Sequence, residues 1–262
     1  MLRSLLLLPL FFALLPALAD NGSVLDRVAA SKTLRVCIWP DYFGISYRDP
    51  KTRHLSGIDI DMARALGREL GADVEFIDSS FARLIDDVTA DRCDIAMFAI
   101  GITPARQAHL RFTKPHLASD IYAITSQGNR RVKSWSDIDR PGTLVAVARG
   151  TLHETVMRDK LQAATLKVLD TPHAREQEVE SGRADVFMTD YPFSQRMLKT
   201  TDWARLIKPD GPYHITPYAY AMRPGDDRWH ARVEQFVAAA KRNGTLRAAA
   251  ERHGLTPILA RD

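Results

Sequence analysis

The sequence has little of what metal or phosphate chemistry requires. It holds two cysteines in 262 residues, Cys37 and Cys93, without metal-ligand spacing or a histidine cluster beside them. It has no Gly-rich phosphate loop and no Ser-His-Asp order of a hydrolytic triad. Low-complexity tracts and internal repeats are missing, and no segment after residue 19 is apolar for long enough to cross a bilayer. Charge of one sign is not gathered anywhere. The 36 Lys and Arg are interleaved with 32 Asp and Glu, for a net charge of +4, and this scatter argues against a nucleic-acid partner. A small basic bias of this kind suits an anionic small ligand. No metal, cofactor or catalytic group is expected from these features.

What is present begins with a leader. Residues 1–19 place Arg3 before a Leu- and Phe-rich stretch that ends in Ala-Leu-Ala, the pattern of a signal peptide cleaved after Ala19. Pro9 and Pro16 break the stretch, which is short for a membrane span. The remaining chain of about 240 residues suffices for one large or two small domains. Export also permits a disulfide between Cys37 and Cys93. Because both lie at or near the start of buried strands, they could equally be small core residues.

Strand and helix patterns alternate along the chain. Residues 33–38, 73–78 and 94–99 read as strands. Between them, 60–70 carries Met62, Leu66 and Leu70 four apart and stops at Gly71, and 81–88 is helix-like. A second series has strands at 143–148, 166–170 and 185–190, with Gly150 and Thr151 before a helix that runs to about Leu161, and further helices from about Ala174 to Glu180 and near 192–198. The last part holds a strand at 218–222, an amphipathic helix with Val233, Phe236, Val237 and Ala240, and a helix over 246–253 ended by Gly254. This is an α/β pattern of two units, each built on a parallel sheet flanked by helices. Segments 120–125 and 218–222 are candidate crossovers between the units. A cleft between them would lie at the carboxyl ends of the strands, where open α/β sheets bind ligands.

One stretch, GITPARQAHLRF (101–112), raises a chemical question. Thr103 reads as an N-cap and Pro104 as the first helical residue, which puts Arg106 in a first turn where the helix dipole is already positive. A cation there calls for an anion. Gly101, just before it, lets the backbone come close to whatever binds.

Seven stretches together carry a resemblance: LRVCIWPDYFGISYR, GIDIDMARALGREL, DVEFIDSSFARLIDDV, DIAMFAIGITPARQAHLRFTKPH, VAVARGT, SGRADVFMTD and NGTLRAAAERHG. They resemble, in order and over almost the whole chain, the periplasmic solute-binding proteins of the polar amino-acid class that serve ABC importers. The resemblance implies a two-lobed periplasmic binding protein fold with two crossover hinge segments. Lobe 1 would be 24–121 and 219–262, and lobe 2 would be 122–218. It implies a monomer that closes on a small amino acid or related carboxylate and docks on an ABC permease in the inner membrane.

On the same resemblance, Arg106 holds the ligand α-carboxylate, Asp190 holds the α-ammonium, and Tyr42 and Phe81 sandwich the ligand side chain. Ala99, Gly101 and Thr151 lie near contact positions. Trp39, Asp41, His116, Arg149 and Leu152 are further candidates. Three of these depart from the pattern. Leu152 stands where many relatives have Thr, Trp39 where a small or acidic residue is common, and His116 where Tyr is usual. A second likeness, through VLDRVAASKTLRV and MTD, is to periplasmic cyclohexadienyl dehydratases. Those enzymes carry a Glu one helical turn beyond the strand-end Asp, and here that place is Phe193. Asp41, Glu154 and Glu178 are the nearby acids that could substitute.

Overall fold

The computed structural model describes residues 22–171 and 173–261, so the leader expected over 1–19 lies outside the described residues. The chain enters through α1 (Val24–Ser31), capped by the Ser23 hydroxyl, and passes into β1 (Thr33–Ile38). Three short strands follow, β2 (Asp41–Tyr42), β3 (Ser46–Arg48) and β4 (Leu55–Ser56), forming a small antiparallel sheet of their own. Sequence periodicity did not reveal this sheet, because strands of two or three residues carry no usable period. Next come α2 (Ile58–Leu70), β5 (Asp73–Asp78), α3 (Leu84–Thr89) and β6 (Ile95–Gly101). The helix expected from residue 81 starts only at Leu84, because residues 81–83 form a turn. The one-turn α4 (Pro104–Gln107) and the edge strands β7 (Arg111–Phe112) and β8 (Leu117–Ser119) complete the first half.

The first sheet begins β5-β1-β6, parallel over these three strands, and β6 is buried along its whole length. An uninterrupted apolar run suits a strand covered on both faces. Cys37 in β1 and Cys93 just before β6 are joined by a disulfide, with both residues buried. The question left open by the sequence is thereby resolved in favour of the covalent link.

The chain then crosses to a second sheet. Its elements are β9 (Ile121–Ser126), β10 (Leu144–Ala148), α5 (Leu152–Lys160), β11 (Thr165–Leu169), α6 (Ala174–Glu180), β12 (Val186–Asp190), α7 (Tyr191–Thr200) and β13 (Ala204–Ile207). The order is β11-β10-β12-β9-β13, parallel over the first three strands and antiparallel at β9 and β13. The chain returns through β14 (Thr216–Met222), which lies antiparallel to β6, β7 and β8, and ends in α8 (Asp227–Arg242) and α9 (Thr245–His253). Each sheet is therefore parallel over three strands, with the returning strands antiparallel.

The two passages between sheets run side by side. The Asp120 carboxylate accepts from Ile121 N (2.7 Å), Tyr213 N (2.8 Å) and His214 N (2.7 Å), tying the outgoing strand to the returning one. The helices behave as their patterns require. Val233, Phe236, Val237 and Ala240 of α8 are buried, and α2 and α9 both end on glycines in the left-handed region, Gly71 (φ +61) and Gly254 (φ +69).

Candidate ligand-binding site

The carboxyl ends of β6 and β12 face each other across the gap between the sheets, and the residues that follow them line a narrow inner chamber. Nine residues singled out in the sequence stand around it: Trp39, Tyr42, Phe81, Ala99, Gly101, Arg106, Thr151, Leu152 and Asp190. Five others join them, His153, Arg175, Thr189, Phe193 and Tyr218. The chamber opens into a wider vestibule, where Asp41 and Arg149 lie.

Arg106 is placed by its own helix start. The Thr103 hydroxyl accepts from Arg106 N (3.3 Å), with Pro104 first in the helix. The side chain turns back into the chamber. Its Nη1 donates to Gly101 O (2.8 Å), its Nη2 to Gly150 O in the second lobe (3.1 Å), and its guanidinium sits 5.3 Å from the Phe81 ring centre. Gly101 keeps this seat open: a β-carbon there would stand 3.0 Å from Thr216 Cγ2 and 3.5 Å from Arg106 Nη1. Arg106 is only 7% exposed, and no ion pair to a carboxylate is formed by it among the described residues. Burial pulls its pKa down to about 10, with Tyr218 and Tyr42 pulling the other way. A buried cation held by two carbonyls and a ring is a site for an anion.

Asp190 ends β12 and caps α7, its Oδ1 accepting from Phe193 N at 3.2 Å. Its Oδ2 accepts from the Tyr218 hydroxyl (3.0 Å) and from the Tyr42 hydroxyl, which reaches it from the first lobe. The carboxyl is 2% exposed. Burial pushes its pKa up, against the opposing pull of these donors. Both tyrosine hydroxyls are held well above their usual range, first by burial and then by the Asp190 charge, and so remain donors.

Aromatic rings enclose the space. Trp39, Tyr42 and Phe81 are mutually in contact, with ring centres 5.2 to 6.0 Å apart. Ala99 has a positive φ of +48, an uncommon conformation for a residue with a side chain, within β6. It is held by Asp59, whose Oδ2 accepts from Ala99 N at 2.7 Å. His116 serves this same anchor. It is fully buried away from the chamber, with Nε2 3.0 Å from Asp59 Oδ1 and its ring 4.2 Å from that of Tyr220. The expectation that His116 touches a ligand is therefore corrected: it positions the carboxylate that shapes β6.

Thr151 caps α5 with its hydroxyl and also donates to Ala148 O (2.7 Å). Leu152 and His153 begin that helix, so its first-turn N–H groups, which lack intrahelical acceptors, lie beside the chamber. Arg149 is half-exposed on the vestibule rim and paired with Asp170, not directed inward. Asp41 faces His173 of the second lobe at 3.6 Å.

Four chamber residues, and Glu176 on the vestibule wall, escaped sequence reasoning for identifiable reasons. His153 occupies the apolar stripe of α5 with Val156 and Met157, and that spacing could have exposed it. Arg175 and Glu176 take buried positions of α6 where apolar residues are expected. Arg175 donates from Nη1 to Met188 O (3.1 Å), lies 3.4 Å from Glu176 Oε1 through Nε, and stacks 4.3 Å from the Phe193 ring centre. Thr189 and Tyr218 read only as strand residues.

Comparison with known proteins supplies the family. The model of the bacterial extracellular solute-binding proteins, family 3, matches residues 34–256. A cyclohexadienyl dehydratase of Pseudomonas aeruginosa is 31% identical over 232 residues, 88% of this chain and 86% of that protein. The L-cystine-binding protein TcyJ of Escherichia coli is 24% identical over 89% of this chain and 86% of its own length. Among solved structures, an ancestral amino acid-binding protein described as a precursor of cyclohexadienyl dehydratase superposes with a TM-score of 0.81. It is 30% identical and covers 88% of this chain and 99% of its own.

Proposed function

The chain belongs to family 3 of the bacterial extracellular solute-binding proteins, and from that membership we propose that it captures a small amino acid, or a related carboxylate, between two lobes for delivery to an ABC permease of the inner membrane. The lobes divide at the two passages near Asp120 and His214, with β9 counted in the second lobe and the whole of β14 in the first, so the boundary expected at 218/219 moves back ahead of Thr216. The observation that carries this reading is the pairing of two buried, opposite charges across one chamber. Arg106 has carbonyls and a ring for partners, and Asp190 has hydroxyls and a helix N–H. A zwitterion supplies the missing carboxylate to the first and an ammonium to the second. It also bridges the lobes, which gives it differential affinity for their closed arrangement. In exchange, the Arg106 bond to Gly150 and the Tyr42 bond to Asp190 give way to bonds with the ligand. The periplasm is the compartment that fits, and no described helix is long and apolar enough to cross a membrane.

The test is calorimetric titration after a thermal-shift screen of the twenty amino acids, since a ligand that binds only the folded state raises its stability. Saturable binding of an α-amino acid by the wild type, lost in Arg106→Ala, is the expected result.

The dehydratase relative motivates a second reading, catalysis of prephenate or arogenate dehydration. The chamber favours binding over this chemistry, which needs a positioned acid at the leaving hydroxyl. Phe193 occupies the acid's place and is buried against Phe187 and Arg175. Glu154 is spent on Gly150 N and Arg158, and Glu178 on Lys167 and Arg183. Formation of phenylpyruvate or phenylalanine by the purified protein would overturn the binding-protein reading.

A further inference from the structure

Most charges around the chamber and vestibule pair off: Asp41 faces His173, Asp78 pairs with Arg48, and Arg149 with Asp170. Arg83, half-exposed on the rim, lies 3.9 Å from an Asp87 that already pairs with Arg92 at 2.8 Å, so water and not a carboxylate carries most of its balance. Where the chamber meets the vestibule, Arg175 is next to Glu176 at 3.4 Å. Only Arg106 and Asp190 remain without a charged partner among these groups, and on the reading above the ligand's own carboxylate and ammonium take both. A ligand side chain then meets a balanced surrounding. A further charge, of either sign, would be buried without a counter-charge, which is costly.

The same surrounding is not apolar. Among the described residues, the Thr189 hydroxyl and Glu176 Oε2 have no partner, and the His153 ring, beside the Thr189 backbone, has neither nitrogen in a well-formed hydrogen bond. His153 and Glu176 are more than nine-tenths buried and Thr189 is almost wholly so. His153 is neutral, because burial and the adjacent Arg175 bring its pKa down to about 3. A neutral imidazole offers one donor and one acceptor, a hydroxyl offers both, and the carboxylate oxygen accepts. Buried polar groups left without partners are rare, and their cost is removed by a ligand that completes them.

We infer that the bound amino acid has an uncharged side chain carrying both a hydrogen-bond donor and an acceptor, a carboxamide being the model case, seated against His153, Thr189 and the Arg175–Glu176 pair of the second lobe. The inference rests on the amino-acid reading of Arg106 and Asp190. It separates this chain from binders of cationic or acidic amino acids by a physical criterion: charge is already balanced, while hydrogen bonding is not.

Isosteric ligands test it. Titrations with L-glutamine, L-asparagine, L-glutamate, L-aspartate, L-lysine, L-arginine and L-leucine should show one of the two amides binding at least tenfold more tightly than its isosteric acid, and than lysine, arginine or leucine. If a charged or purely apolar amino acid binds as tightly as the amides, the inference falls and the amino-acid reading stands. If none of these binds, the inference falls, and if none of the twenty amino acids binds, the amino-acid reading falls with it. Glu176→Gln leaves Arg175 without its counter-charge and should lower the glutamine-to-glutamate affinity ratio at least tenfold. Thr189→Val, which conserves volume, should weaken the amide severalfold more than it weakens leucine. A preference that neither variant moves would remove these residues from the subsite, and unfolding midpoints of both variants distinguish that result from misfolding.

Discussion

Gly150 and Ala82 meet across the mouth of the cleft. A β-carbon on Gly150 would stand 2.6 Å from Ala82 Cα and 2.7 Å from Ala82 N, both backbone atoms that cannot rotate away. The residue also has φ +73, in the left-handed region. Gly150→Ala should therefore act as a wedge. The left-handed strain costs about 1 kcal/mol of stability. The larger effect should fall on ligand affinity, by tenfold or more, because the lobes can no longer approach. Small-angle scattering at saturating ligand should show a larger radius of gyration than for the wild type. Equal compaction of the two proteins would mean that this contact does not limit closure.

Arg106 should dominate affinity. Truncating one partner of a buried, hydrogen-bonded charge pair costs about 2–5 kcal/mol, so Arg106→Ala should weaken binding by roughly thirtyfold or more. Arg106→Lys should recover little of this. Three guanidinium contacts, to Gly101 O, Gly150 O and the Phe81 ring, depend on a planar fork that an ammonium lacks. Calorimetric affinities within a few-fold of wild type for either variant would remove Arg106 from the carboxylate role.

Stability should fall in acid partly through His153. Its pKa is pushed down from 6.5 to about 3 in the folded chain, chiefly by burial and then by Arg175. The unfolded chain therefore binds more protons between these values, and stability rises with pH across that window. The contribution is fully present above about pH 6.5 and is lost progressively as pH falls toward 3. His153→Gln should flatten this limb in denaturant titrations at pH 4 to 7, leaving the midpoint at pH 7 less affected than that at pH 4. Parallel pH profiles for the two proteins would show that another group controls the acid limb.

The architecture was legible where pattern and structure share a period. The apolar run expected as a strand over 94–99 is β6, which extends two residues further to Gly101, and the apolar face of α8 is buried as its pattern requires. The strands of the 41–56 sheet and the edge strand β13 were too short to carry a period. Chamber-lining residues were legible when they followed a strand end with unusual chemistry. Arg106 sits in a first turn where a cation is out of place, and Asp190 sits beside Pro192. His116 misled because its position in a motif says nothing about direction: its ring points to Asp59, into the core. Arg175 and Glu176 were missed because a charged pair on a short helix reads as a solvated face. Only the packing of α6 against Phe187 and Phe193 shows that it is buried.

The disulfide ties the two central parallel strands, and its effect should be large for a single bond. Cys37 and Cys93 are 56 residues apart in sequence, and closing a loop of that length restricts the unfolded chain by an amount worth about 4 kcal/mol in the loop-entropy model. The link lies far from the chamber's charged groups, at the opposite end of β6 from Gly101. The Cys37→Ala, Cys93→Ala double variant should therefore melt on the order of 10 °C lower, with ligand affinity at 25 °C nearly unchanged. A reductant should lower the wild-type melting temperature by a similar amount and leave the variant unaffected. If the double variant kept its melting temperature and lost affinity instead, the bond would have to be regarded as part of the site's positioning and not of the lobe's stability.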